Sequence, residues 1–170
     1  ASRPRPRRRA HRRIAAHHSS FAQTEGDPCV DLNFPFLNAQ LSGVWGTSAD
    51  NFYVYGSARG PIIYHYVDGR WVKDVQERDG GAFLDMWGSG PDDIWATLYS
   101  ARDDLWHYDG LAWNQLPRSR YSGRLFGTSA DNIYSIGLST TDYVPEYYRY
   151  DGISWDNEDM SGDPRNPRHD

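Results

Sequence analysis

Cysteine is almost missing from this chain: Cys29 is the single one in 170 residues. That excludes an intrachain disulfide and a cysteine-based metal site. Lysine is as scarce, with Lys73 the one lysine among 18 basic residues, so arginine carries nearly all the positive charge. No stretch approaches the ~18 apolar residues of a membrane-spanning helix, so no membrane span is expected. The Arg-rich start runs into Ile14-Ala15-Ala16 and then His17-His18-Ser19-Ser20, which is no signal-peptide h-region. Long runs of Ala, Leu, Glu and Lys at helical spacing are missing too. So are a Gly-x-Ser-x-Gly elbow, a phosphate loop and a His-Glu-x-x-His pair.

Aromatics are abundant, at 15% of the chain with 7 Trp and 12 Tyr. They fall in a repeat. One segment occurs three times, as Val44-Trp45-Gly46-Thr47-Ser48-Ala49-Asp50-Asn51-Phe52, Met86-Trp87-Gly88-Ser89-Gly90-Pro91-Asp92-Asp93-Ile94 and Leu125-Phe126-Gly127-Thr128-Ser129-Ala130-Asp131-Asn132-Ile133. Each is followed by a second segment: Tyr66-Val67-Asp68-Gly69-Arg70-Trp71, Tyr108-Asp109-Gly110-Leu111-Ala112-Trp113 and Tyr150-Asp151-Gly152-Ile153-Ser154-Trp155. The Trp-Gly anchors are 42 and 39 residues apart, the Asp-Gly anchors 41 and 42. A period near 40 with four short strands per unit is that of a β-propeller. The expected fold is therefore all-β, a partial propeller of three four-stranded antiparallel blades at 41–76, 83–116 and 123–157.

Strand one of each blade runs into Trp45, Trp87 or Phe126, three equivalent positions expected to be largely buried. Strand two covers 52–55, 94–98 and 133–136, and strand three 62–66, 105–108 and 147–150. Strand four starts at Trp71, Trp113 and Trp155, the last short or absent. Asp-Gly opens a tight hairpin at Asp68-Gly69, Asp109-Gly110 and Asp151-Gly152, and the Trp beyond folds back over it. Residues 1–28 read as a disordered Arg-rich leader and 158–170 as a tail. Between leader and blades, 29–40 is a lead-in in which Val30, Leu32, Phe34 and Phe36 alternate with polar residues and Pro35, an edge-strand pattern.

Seven of the 18 basic residues fall in 1–20, which holds no acid, leaving 23 acids against 11 bases elsewhere. Nucleic acid is thus an unlikely partner except through residues 1–20. The short repeated turns hold Asp50, Asp68, Asp92, Asp93, Asp109, Asp131 and Asp151 against Arg70, a sum of −6. The loops expected on the opposite rim differ from copy to copy and balance to zero, counting Glu77, Asp79, Asp103, Asp104, Asp142 and Glu146 against Arg59, Arg78, Arg102, Arg118, Arg120 and Arg124. Variable loops on a rigid repeat are where binding residues are carried. The candidate ligand contacts are Arg59, Arg78, Tyr99, Arg102, Arg118, Arg120, Tyr121 and Tyr143, which suit an anionic or sugar-rich partner. Calcium at Asp92, Asp93, Asp50 and Asp131 is the competing idea, but one such group per blade does not converge on a single point. His65 and His107 read as strand packing rather than metal ligands. No metal or other cofactor is expected.

These anchors resemble a bacterial, myxobacterial-type repeat family whose blades run Val-Trp-Gly-Ser-Ser-Pro-Asp-Asp-Val-Trp-Ala-Val-Gly, then His-Tyr-Asp-Gly-x-x-Trp. The resemblance implies a propeller and an envelope or secreted location, and is silent on activity. Asp-Gly-x-x-Trp is also distantly similar to the Asp-box, Ser-x-Asp-x-Gly-x-x-Trp, of sialidase-like propellers. There too it is a folding element, and here it lacks the spacer between Asp and Gly. Propellers close with about four to eight blades, so three leave two apolar end faces through which copies can associate. The expected function is a non-catalytic binding or scaffold module with a protein or glycan ligand. The alternatives are a fragment without independent function and, last, a sialidase-like glycan-active enzyme.

Overall fold

The computed structural model describes Phe34, Pro35 and residues 38–78, 80–100, 104–116, 123–138 and 145–157. The leader and the tail lie outside the described residues. Phe34 and Pro35, the described part of the 30–36 alternation, form no strand.

Twelve strands occur among the described residues: β1 (Gln40–Ser48), β2 (Asn51–Ser57), β3 (Pro61–Val67), β4 (Arg70–Gln76), β5 (Ala82–Gly90), β6 (Asp93–Tyr99), β7 (Asp104–Tyr108), β8 (Trp113–Leu116), β9 (Arg124–Ser129), β10 (Asn132–Leu138), β11 (Pro145–Tyr150) and β12 (Trp155–Asn157). They make three four-stranded sheets, each an antiparallel meander in chain order. The first strands adjoin, β1 packing on β5 and β5 on β9. All three Trp-Gly anchors lie in strands, and the short fourth strand of the third sheet is present as β12.

Turn chemistry follows turn length. In the first sheet, paired Val67 and Arg70 leave only Asp68 and Gly69, with φ of 52° and 71°. Two consecutive left-handed residues make a type I′ hairpin, which favours Asp-Gly. The other two copies hold one residue more between Asp-Gly and Trp, and the turn changes kind. Asp109 Oδ1 accepts from the amides of Leu111 (3.0 Å) and Ala112 (2.9 Å). Asp151 Oδ1 accepts likewise from Ile153 (2.8 Å) and Ser154 (2.9 Å). The tryptophan packs on its cross-strand tyrosine, with ring centroids 5.1, 5.5 and 5.4 Å apart in the three copies.

Those backbone amides hold the Asp109 and Asp151 carboxyls below the usual carboxylate range. A carboxyl depressed on folding contributes stability that is full above its unfolded pKa of about 4 and is lost as pH falls through the folded value. The Asp109→Asn/Asp151→Asn variant keeps an acceptor oxygen in each turn without the charge. Its thermal midpoint should fall less between pH 5 and 2 than that of the parent. An equal or steeper fall would show that these turns contribute nothing to acid sensitivity.

The sheets are joined by tryptophan on glycine. A Cβ on Gly88 would lie 2.7 Å from Trp45 Cζ2, and one on Gly127 2.5 Å from Trp87 Cζ2. Each sheet thus lays its Trp on the Trp-Gly glycine of the next, where no side chain fits. This corrects the expected burial of the anchors. Trp45 and Trp87 are half-buried, and Phe126 is 62% exposed. Phe126 holds the same register position, opposite Tyr134 as Trp45 is opposite Tyr53, but among the described residues no following sheet covers it.

Asp85 on β5 ties the three sheets together. It accepts from the Tyr55 hydroxyl in the first sheet (3.2 Å) and from the Leu125 amide in the third (2.9 Å). Burial first, then the Asp85 carboxylate, push the Tyr55 phenol up to about 12, so it stays a donor at neutral pH. Between first and second sheet the core holds Tyr53, Tyr55, Ile63, Phe83, Met86 and Ile94, and between second and third Trp95, Leu105, Leu125 and Ile133.

Candidate functional site

One side-chain stack recurs in every sheet. His65 lies flat on Tyr53 with centroids 4.0 Å apart, and its Nε2 is 2.7 Å from Asn51 Oδ1. His107 stacks on Trp95 at 4.1 Å, and its Nε2 is 2.8 Å from Asp93 Oδ1. In the third sheet Arg149 Nε donates to Asn132 Oδ1 (3.0 Å), and its guanidinium carbon is 6.0 Å from the Tyr134 ring centroid. Strand three thus anchors itself to the start of strand two through a planar group on an aromatic ring. Among the described residues no group of three or more His, Cys, Asp or Glu could hold a metal ion.

The first such stack borders a cleft of about 590 Å³ between the outer strands of the first and second sheets. Trp106, Tyr108 and Trp113 line it from the second sheet, His65 and Asp74 from the first. Lys73, Gln76 and Glu77 form its margin, where Lys73 Nζ donates to Gln76 Oε1 (3.1 Å). Asp74 is there because β4 carries one extra residue. Ile63 pairs with Val75 and Tyr64 with Lys73, so Asp74 is a bulge residue. β8 pairs with β7 without a shift and has no counterpart. Between second and third sheet, the counterparts Tyr150 and Trp155 lie 4.9 and 5.5 Å from Trp95. The Trp113–Tyr53 contact across the first junction is wider, at 6.2 Å.

The cleft is polar without carrying a strong ion pair. Trp113 Nε1 donates to Asp74 Oδ2 at 3.4 Å, and His65 Nδ1 is 3.9 Å from the same oxygen. Burial pushes the Asp74 carboxyl up, with His65 and the Trp113 indole pulling part of the way back. Burial pushes His65 down against the pull of Asp74 and Asp68, so the imidazole is neutral at pH 7 and the 3.9 Å contact is not a salt bridge. The Tyr108 hydroxyl donates to Gly110 O (3.1 Å), and among the described residues no serine, threonine or cysteine lines the cleft. Nearby, the Trp106 indole nitrogen is buried without a hydrogen-bond partner.

Of the loop residues singled out in the sequence, Arg59, Arg78 and Tyr99 are described, and all three are exposed. They share one edge. A Cβ on Gly60 would meet Glu77 O and approach Arg78 Cα, and one on Gly81 would meet Tyr99 O. Arg59 has a left-handed φ of 59°. Arg102, Arg118, Arg120, Tyr121 and Tyr143 lie outside the described residues. The opposite edge holds the short turns together, with Asp92 against Gly110 and Asp131 against Gly152. Asp104, counted above among the loop charges, is instead the first residue of β7. It is 4% exposed and accepts from Gln115 Nε2 (2.6 Å), so it belongs to the strand and not to the exposed loop.

The repeat pattern marked Tyr108 and Trp113 as structural anchors, not as cleft residues, and left Asp74 out. Asp74 occurs in one copy only, and its one signal is the break in alternation along Trp71-Val72-Lys73-Asp74-Val75. Among the described residues no helix is long and apolar enough to cross a membrane.

No protein-family model matches the chain, and no curated protein does. Among solved structures, the chain is similar to a fucose lectin from Kordia zhangzhouensis in complex with methyl-fucoside. The TM-score is 0.47 and the identity 13%, over 68% of this chain and 97% of that one.

Proposed function

We propose that this chain is a non-catalytic binding module of β-propeller type that holds a saccharide between its first two blades. Consecutive four-stranded meanders with adjoining first strands support the propeller reading. The observation that carries the function is the cleft itself. Its volume of about 590 Å³ is that of a small-molecule site, and its mainly polar lining, with His65, Lys73, Asp74, Gln76 and Glu77, is joined by three aromatic side chains, Trp106, Tyr108 and Trp113. Indole and phenol faces suit the C–H faces of a sugar ring, and the Asp74 carboxyl accepts hydroxyl hydrogens. Among the described residues that line the cleft, the one hydroxyl, that of Tyr108, is committed to Gly110 O, and the imidazole is 3.9 Å from the carboxyl.

The test is a glycan array followed by calorimetry on the strongest hit. Asp74→Ala should weaken binding tenfold or more, about 1.4 kcal/mol. Arg59→Ala and Arg78→Ala should leave it unchanged. The opposite pattern moves the ligand to the loop edge, where an anionic partner would meet the two arginines. No glycan retained by the folded parent chain rejects the saccharide reading.

A further inference from the structure

The two internal junctions show what covers each face of a sheet, and among the described residues one face of each kind is bare. Met86 and Leu125 are 5% and 9% exposed because the preceding sheet packs on them, whereas Val44 at the same position of the first sheet is 64% exposed. Trp45 and Trp87 lie on the glycine of the following sheet, whereas Phe126 is 62% exposed. Ile136 of the third sheet, at the position of buried Tyr55 and Thr97, is also exposed.

We propose that these two faces are one interface, and that the third sheet docks head to tail on the first sheet of a second copy of this chain. Phe126 then lies on Gly46, as Trp45 lies on Gly88 and Trp87 on Gly127. Val44 and Leu41 are covered, as Met86 and Phe83 are inside the chain. The polar groups select this occupant. Inside the chain, the Tyr55 hydroxyl needs the Asp85 carboxylate across the junction. Ile136 stands in the place of Tyr55, and Gly43 in the place of Asp85. Tyr–Asp within the chain becomes Ile–Gly between copies, and no donor or charge is stranded. A sheet with an aspartate at that position would bury it against Ile136. The contact is confined to β9 and β10 against β1, because Phe34 already packs on Trp71 and Tyr64 at the outer part of the first sheet. Two such contacts would close a pair of chains into six sheets, a closure that rests on the propeller reading; the contact does not.

Sedimentation velocity from about 1 to about 100 µM tests this. The parent chain should associate with rising concentration. Val44→Asp and Phe126→Asp alter exposed positions, so each should keep the parent's circular dichroism and thermal midpoint while weakening self-association at least tenfold. Mixing the two variants should recover part of the parent's association, since one of the two contacts in a mixed pair joins intact faces. A parent that stays monomeric throughout overturns the proposal. So does a Val44→Asp variant that associates like the parent, which would mean the third sheet meets its own copy face to face. So does a mixture that stays monomeric.

Discussion

Gly88→Val is expected to cost about 3 kcal/mol or more, a large part of the ~5–15 kcal/mol that holds a domain folded. Its Cβ would stand 2.7 Å from Trp45 Cζ2 and 2.8 Å from Asp93 O. The ring could yield only by giving up its seat between the sheets, and the carbonyl belongs to the β-ladder. Gly90 supplies the control two residues away. Nothing lies within 4 Å of a Cβ there, so Gly90→Ala should change stability by no more than about 0.5 kcal/mol. Urea unfolding of both variants separates the cases. Similar losses at the two positions would mean that strand propensity, not the tryptophan seat, requires glycine at Gly88.

Trp95→Ala should cost about 3–5 kcal/mol. The ring is 3% exposed and meets His107, Tyr150 and Trp155, and its Nε1 donates to Asp93 Oδ1 (3.1 Å). Removing it opens a hole in the junction between second and third sheet and frees one end of the His107 stack. Tyr134 holds the same register position in the third sheet and stacks on Tyr147, but no following sheet adds a wall. Tyr134→Ala should therefore cost well under half as much. Equal losses would show that the inter-sheet contacts of Trp95 add little to its packing within the sheet.

The sheets were legible in the sequence because the turns that join their strands carry residues the backbone favours there. Asp68-Gly69 suits a two-residue hairpin, Asp109 and Asp151 supply acceptors for turn amides, and the Trp-Gly pairs recur at one spacing. Burial of the anchors was not legible in the same way. Equivalent residues share a register position, but exposure depends on what stands across the junction, which is why Phe126 parted from Trp45 and Trp87. The cleft was hidden for a related reason. A repeat directs attention to what its copies share, and Asp74 is a bulge residue of one copy. His65 reads as strand packing, which describes its ring on Tyr53, while its other edge faces the cleft. Asp104 shows the converse error: three consecutive charged residues, Arg102-Asp103-Asp104, read as a solvated loop, yet the third begins a strand and is bonded to Gln115.

The most direct measurement is an amide and indole NMR titration of the chain with the saccharide found on the array. The saccharide account predicts that the Trp113 indole N–H and the amides of residues 73–77 and 111–113 shift together and saturate at one Kd, while the Trp95 indole stays in place. Shifts confined to the edge of Arg59, Arg78 and Tyr99, with Trp113 unmoved, would contradict it.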